Sequence, residues 1–191
     1  LEHAAGDGCT VIVTTHDPDL IALATSRVDL STPSARIVHA NAGRRRSAGV
    51  AIAARDVTKR YGEAFAVAKA NLEVAPGELG VLLGRSGSGK STLLMALGGF
   101  VAPDEGEIET PGARWHETAY VAQRFGLLSE LTIAENVGLP ERLGDARQID
   151  VLEALDLDAL AGRLPGETSV GQQQRTAVAR AVAARPRALL A

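Results

Sequence analysis

Between Gly84 and Thr92 the chain reads Gly84-Arg85-Ser86-Gly87-Ser88-Gly89-Lys90-Ser91-Thr92. Gly84, Gly89, Lys90 and Ser91 stand at the spacing G-x-x-x-x-G-K-[ST] of a phosphate-binding loop. Glycines serve there because backbone N–H groups must converge on phosphate oxygens without interference from Cβ atoms. Lys90 supplies a counter-charge for β- and γ-phosphates, and the Ser91 hydroxyl supplies a ligand for Mg²⁺. A helix starting at Lys90 adds the partial positive charge of its N-terminus. The competing explanation is an accidental glycine-rich turn, and the surroundings decide against it. A strand-like run, E-L-G-V-L-L, leads into the loop, and Lys90–Leu97 has helix-forming composition. Strand, glycine-rich loop and helix are the context this chemistry requires.

The elements that must hold the loop follow from patterning. Strands are expected around 50–56, 66–74 and 79–83, near Gly106–Glu109 and Thr118–Ala122, and at Ala188-Leu189-Leu190. Helices are expected at 90–97, 132–137, 146–156 and 172–185. Earlier in the chain, Thr10 to Thr14 (T-V-I-V-T) is a β-branched run that reads as a buried strand. Asp17 and Pro18 then offer an N-cap and a first helical position, predicting a helix to about Ser26. Residues 31–49 change character, with Pro33, Gly43, Gly49 and the run Arg44-Arg45-Arg46, and read as a linker. The arginine run is read as a solvated charge cluster rather than a phosphate or lipid contact.

Composition narrows the class. The 191 residues suffice for one α/β domain, or for one domain and part of another. Aromatic residues make up only 3%, so aliphatic side chains must build the core. A formal net charge of −3 argues against a protein that coats nucleic acid, and no nucleic-acid partner is expected. The one cysteine, Cys9, supports no disulfide framework and reads as a small buried hydrophobe at a strand start. No apolar run of about 18 residues occurs, so no transmembrane helix is predicted. The opening residues lack the basic and apolar regions of a signal peptide and an initiator Met, and look internal to a longer chain.

With these residues in place, the chain resembles the ATP-binding subunits of ABC transporters over nearly its whole length outside the linker. Tyr61, in K-R-Y-G, matches the aromatic that stacks on adenine in that family. Gln123, in Y-V-A-Q-R-F, matches its Q-loop glutamine, which contacts Mg²⁺ and the attacking water and senses the membrane subunit. Thr168-Ser169-Val170-Gly171-Gln172 resembles the signature L-S-G-G-Q, with Thr168 and Val170 departing from it. The resemblance assigns Ser169, Gly171 and Gln172 to the grip on the γ-phosphate of ATP held by a partner domain. The segment L-L-S-E-L-T-I-A-E-N-V-G-L-P resembles the lipoprotein-release and macrolide-export branch, implying export.

The resemblance implies an α/β P-loop NTPase with a RecA-like parallel sheet, an antiparallel β subdomain and a helical subdomain, incomplete in this chain. It implies ATP and Mg²⁺ as ligands, with the metal at Ser91 and Gln123. It implies an integral membrane permease and a second ABC ATPase domain as partners, at the cytoplasmic face of the cell membrane. Thr14-Thr15-His16-Asp17 resembles the family's H-loop, whose histidine, here His16, contacts the γ-phosphate and with Gln123 forms the catalytic pair. That loop belongs late in the family's order, yet here it comes early. The catalytic Asp-Glu that the family places after the 188–190 strand is expected beyond Ala191, so the chain should bind ATP better than it cleaves it.

The expected division is therefore 1–30 as a C-terminal part of an ABC ATPase domain, 31–49 as linker, and 50–191 as an N-terminal part. The missing initiator Met and the abrupt final strand favour two parts of tandem domains; in the alternative, Thr10–Thr14 pairs with Glu78–Leu83 and completes one permuted domain. A flexible 31–49 linker spans about 24 Å, enough for that return. Alternatives to a transport ATPase are a tandem ABC protein acting on ribosomes or DNA, and a nucleotide-binding module without turnover.

Overall fold

The computed structural model describes residues 8–30, 36–39, 51–110, 117–142 and 151–191. Nine strands form two sheets among these residues: β1 (Thr10–Thr14), β2 (Ser26–Asp29), β3 (Arg36–His39), β4 (Ile52–Tyr61), β5 (Ala64–Val74), β6 (Leu79–Leu83), β7 (Glu105–Glu109), β8 (Thr118–Tyr120) and β9 (Ala188–Leu190). The helices are α1 (Pro18–Leu23), α2 (Lys90–Leu97), α3 (Ile133–Val137), α4 (Leu139–Arg142), α5 (Val151–Ala154) and α6 (Val170–Ala183). The larger sheet runs β3-β2-β6-β1-β9-β8 and the smaller one β5-β4-β7.

The early strand β1 lies inside the larger sheet, between β6 and β9. It pairs parallel with β6, placing Val11 opposite Leu79, Ile12 opposite Gly80, Val13 opposite Val81 and Thr14 opposite Leu82. Its other edge pairs parallel with β9, from Thr10 opposite Ala188 to Ile12 opposite Leu190. A strand buried on both faces must be apolar throughout, and Val11, Ile12 and Val13 are all buried. Ile12 joins the cluster that includes Leu93, Leu94 and Leu97 of α2. Val11 and Val13 point the other way, into a cluster with Leu79, Val81, Ala181 and Leu189. Strand alternation thus sends one segment into two cores.

Side chains of the N-terminal segment also close polar accounts around the β5–β6 turn. The Thr10 hydroxyl donates to the Ala75 carbonyl at 3.2 Å and accepts from the Gly77 amide at 3.2 Å. Thr25 exchanges two bonds with Leu79, its hydroxyl donating at 2.9 Å and accepting at 3.1 Å. The Glu78 carboxylate accepts from the Ala75 amide at 3.0 Å and the Ser26 hydroxyl at 3.4 Å. Buried polar groups are stable only with such partners, so the segment fits this sheet chemically as well as sterically.

Three expectations need correction. The helix after Asp17 ends at Leu23, because Ser26–Asp29 forms β2 beside β6. Its Val28 is buried, and the four-residue strand is too short for alternation to betray it. The linker expected at 31–49 contains β3, antiparallel to β2; the rest, including Arg44–Arg46, lies outside the described residues. The helix expected at 146–156 is described as Val151–Ala154, with 146–150 outside the described residues. Cys9 is half-buried, and burial pushes its thiol up to about 11, as suits a packing residue. Among the described residues no helix is long and apolar enough to cross a membrane.

One buried polar residue organises the helical side. Asn136 is fully buried, and its side-chain amide donates to the carbonyls of Leu128, Leu131 and Thr132 at 2.9–3.0 Å. Its Oδ1 accepts from the Leu128 amide at 2.8 Å. Asn136→Ala leaves these backbone groups without partners, and we expect a loss of about 2–4 kcal/mol. The check is the urea unfolding midpoint; an unchanged midpoint would refute the assignment.

Candidate functional site

The phosphate loop begins where β6 ends. Gly84 has φ +145°, and a Cβ there would strike the Ser88 hydroxyl. Gly89 forms the N-cap of α2 in the left-handed conformation, with φ +91°. A side chain at Gly89 would also run into the Ala66 carbonyl of β5, so both conformation and space demand glycine. No side chain caps the start of α2, which leaves its first turn open to an anion. The Lys90 ammonium bends back over the loop and donates to the carbonyls of Gly84 at 2.7 Å and Arg85 at 2.9 Å. The Ser88 hydroxyl is buried without a hydrogen-bond partner. An orphaned hydroxyl, a cradle that tolerates no Cβ and a folded-back lysine fit a triphosphate. Ser91 lies exposed in the first turn of α2, followed by Thr92. Arg85, Ser86 and Gly87 form the exposed crest of the loop.

The parallel sheet gathers further candidates at the same edge. Open α/β sheets bind ligands outside the carboxyl ends of their strands. His16 follows β1, the immediate neighbour of β6, and is exposed. Its loop is shaped by Thr15, whose hydroxyl accepts from the Asp17 amide at 3.0 Å, and by Asp17, which caps α1. Gln123 follows β8 at the far side of β9 and is also exposed. With strands about 4.8 Å apart, His16 is one spacing from the phosphate loop and Gln123 three.

Tyr61 ends β4 at a hairpin and is 54% exposed. The hairpin is adjacent to the phosphate loop through the Gly89–Ala66 approach. Register shifts by one residue between the Lys59–Val67 and Arg60–Phe65 pairs, a bulge at Ala66 that re-aims the backbone there. Asp104 fastens the strand that carries Tyr61. It accepts from the Lys59 ammonium at 2.9 Å and from the Arg60 amide at 2.7 Å. The Lys59 bond, then the Arg60 bond, holds the Asp104 carboxyl below its usual range. Phe65, missed in the sequence, is a second exposed aromatic at the hairpin, with the Arg60 guanidinium 4.1 Å from its ring centre. Its strand pattern carried no motif; the hairpin register sets it opposite Arg60, on the face away from Tyr61.

The signature residues stand apart. Ser169 caps α6, accepting from the Gln172 amide at 3.3 Å, while Gln172 accepts from the Ser169 amide at 2.8 Å. The Gln172 side chain is thus committed to the capping box. Val170 is 70% exposed and Gly171 faces open space, so this helix start is accessible from outside. Among the described residues no hydrogen bond links it to the phosphate loop. Sequence reasoning also missed Arg180, which reaches from α6 to the loop after Gln123, donating to the carbonyls of Phe125 at 2.9 Å and Gly126 at 2.7 Å.

Residues 67–191 match the protein family described as ABC transporter. The sulfate/thiosulfate import ATP-binding protein CysA of Caulobacter vibrioides is 39% identical over 157 residues, covering 73% of this chain and 46% of its own length. The spermidine/putrescine import ATP-binding protein PotA of Nitrosomonas europaea is 39% identical over 150 residues, covering 71% of this chain and 42% of its own. The chain therefore spans less than half the length of these curated relatives. Its structure is similar to that of the ATP-binding cassette MJ0796 in a dimeric post-hydrolysis state bound to ADP and Pi, with TM-score 0.62 at 32% identity, covering 71% of this chain and 70% of that one.

These relatives correct the expectation of an export branch, since both are named as import proteins. The wording that suggested export has a structural job. Thr132 and Glu135 form the capping box of α3, and Asn136 is the buried residue described above. Residues selected for a helix cap and a buried amide say nothing about the direction of transport.

Proposed function

From its membership of the ABC transporter family of ATP-binding domains, we propose that this chain binds MgATP and acts as the ATPase component of a membrane transporter. The observation that carries this reading is the phosphate loop at the end of β6, with the buried, unpartnered Ser88 hydroxyl inside it. The triphosphate would lie in the Gly84–Thr92 cradle, and Lys90 would exchange its two backbone carbonyls for β- and γ-phosphate oxygens. Tyr61 would stack on adenine. Ser91 and Gln123 would hold Mg²⁺, whose charge offsets that of the phosphates when bound. His16, one strand away, would hold the γ-phosphate, while Gln123 orients the attacking water.

Residues 10–30 complete the same nucleotide-binding domain in this proposal, as the register of β1 and β2 against β6 supports. The exposed start of α6 would supply Ser169 and Gly171 to ATP held by a second ABC domain. A permease is the further partner, at the cytoplasmic face of the membrane. Import, as named for the relatives, is the proposed direction.

The test is pairing. MgATP should shift the chain to twice its monomer mass on gel filtration, and ADP should not. Ser169→Arg should remain monomeric while still binding MgATP. Absence of both pairing and saturable binding would refute the proposal.

A further inference from the structure

We propose that Arg180 is a positioning residue that makes the Gln123 loop and helix α6 move as one body, so that events at one ATP site reach Ser169. The inference rests on the ATP reading of Gln123 and Ser169 given above. Arg180 is half-buried, and its guanidinium reaches two successive carbonyls, those of Phe125 and Gly126. The left-handed Gly126, with φ +58°, lets both carbonyls turn toward one cation. A Cβ on Gly126 would sit 3.7 Å from the Arg180 side chain, so the loop backbone lies directly against it. A planar fork with fixed donors suits such a two-point grip better than a single ammonium.

The other end of the helix is tied as well. The Gln173 side-chain amide donates to the carbonyls of Pro165 at 2.9 Å and Thr168 at 3.3 Å, fixing the turn before Ser169 to the first turn of α6. From Ser169 to Arg180 is about 16 Å along a continuous helix. An α-helix transmits displacement along its axis with little compression. A shift of the loop carbonyls at Arg180 therefore arrives at Ser169, on the accessible face where a second ATP would be gripped. Apolar contacts alone would let the loop slide past α6; two directional bonds do not.

Hydrogen exchange on the intact chain, diluted until gel filtration shows it monomeric in MgATP, with and without saturating MgATP, tests this. In the wild type, ATP should slow exchange in residues 84–92, in residues 123–127 and in the first turn of α6. Arg180→Ala should keep ATP affinity within about threefold and keep the responses of 84–92 and 123–127, while the α6 response falls at least about threefold. Arg180→Lys should restore it in part. Arg175→Ala, which removes only the exposed pair with Asp156 on the same helix, should behave as wild type. A full α6 response in Arg180→Ala, or equal uncoupling in Arg175→Ala, would overturn the inference while leaving the ATP reading intact. If the wild-type 84–92 segment ignores ATP, the reading itself fails and the inference with it. Should Arg180→Ala not fold, Arg180→Lys decides: a reduced α6 response supports the proposal and a wild-type response overturns it.

Discussion

Lys90→Ala should weaken MgATP binding by roughly thirty- to several-thousandfold while leaving the fold intact. The ammonium stands over the phosphate loop, bonded only to the Gly84 and Arg85 carbonyls among the described contacts. Those bonds hold the charge where phosphates would arrive and are readily exchanged for stronger ones to anionic oxygens. Removing one partner of a charge pair in a desolvated site costs about 2–5 kcal/mol, which converts to that range of affinity. Lys90→Arg should fall between, because a planar guanidinium keeps the charge but cannot place it at the same point. Fluorescence titration with an ATP analogue measures the effect, and circular dichroism checks the fold. Equal affinity in Lys90→Ala would show that the phosphates bind elsewhere.

Ile12→Asp should abolish the fold of the whole chain, phosphate loop included. Ile12 is almost completely buried, opposite Gly80 on one side and Leu190 on the other. A carboxylate there would sit in the apolar cluster with Leu93, Leu94 and Leu97. Burying an unpaired charge costs more than the 5–15 kcal/mol that typically stabilises a domain, unless the group stays neutral, and that too is costly. Were residues 1–30 only the tail of another domain, the substitution would leave the β4–β9 unit folded and able to bind ATP. Thermal unfolding and ATP titration on the same sample separate the two outcomes.

Much of this was legible in the sequence because chemistry imposes spacing. Gly84, Gly89, Lys90 and Ser91 can be read without a structure, since phosphate geometry dictates which types stand where. The apolar run Val11–Val13 likewise announces a strand buried on both faces, and its partner could be guessed from Glu78–Leu83. The short strands β2 and β3 escaped notice because four residues carry too little alternation, and their pairing depends on β6, far along the chain. Phe65, Asp104 and Arg180 left no signal either. Each matters through a neighbour that only folding supplies: Arg60 across the hairpin, the Lys59–Arg60 strand end and the Phe125–Gly126 carbonyls. The segment 127–140 misled about direction because its regularity comes from the α3 cap and the buried Asn136.

The central claim is that the N-terminal strand and the phosphate loop form one ATP-binding unit, and a calorimetric titration of MgATP into the intact chain tests it most directly. The expected result is one saturable site per chain, weakened at least about thirtyfold in Lys90→Ala and lost in Ile12→Asp. Undiminished binding in Ile12→Asp, or no saturable site in the folded wild type, would contradict it.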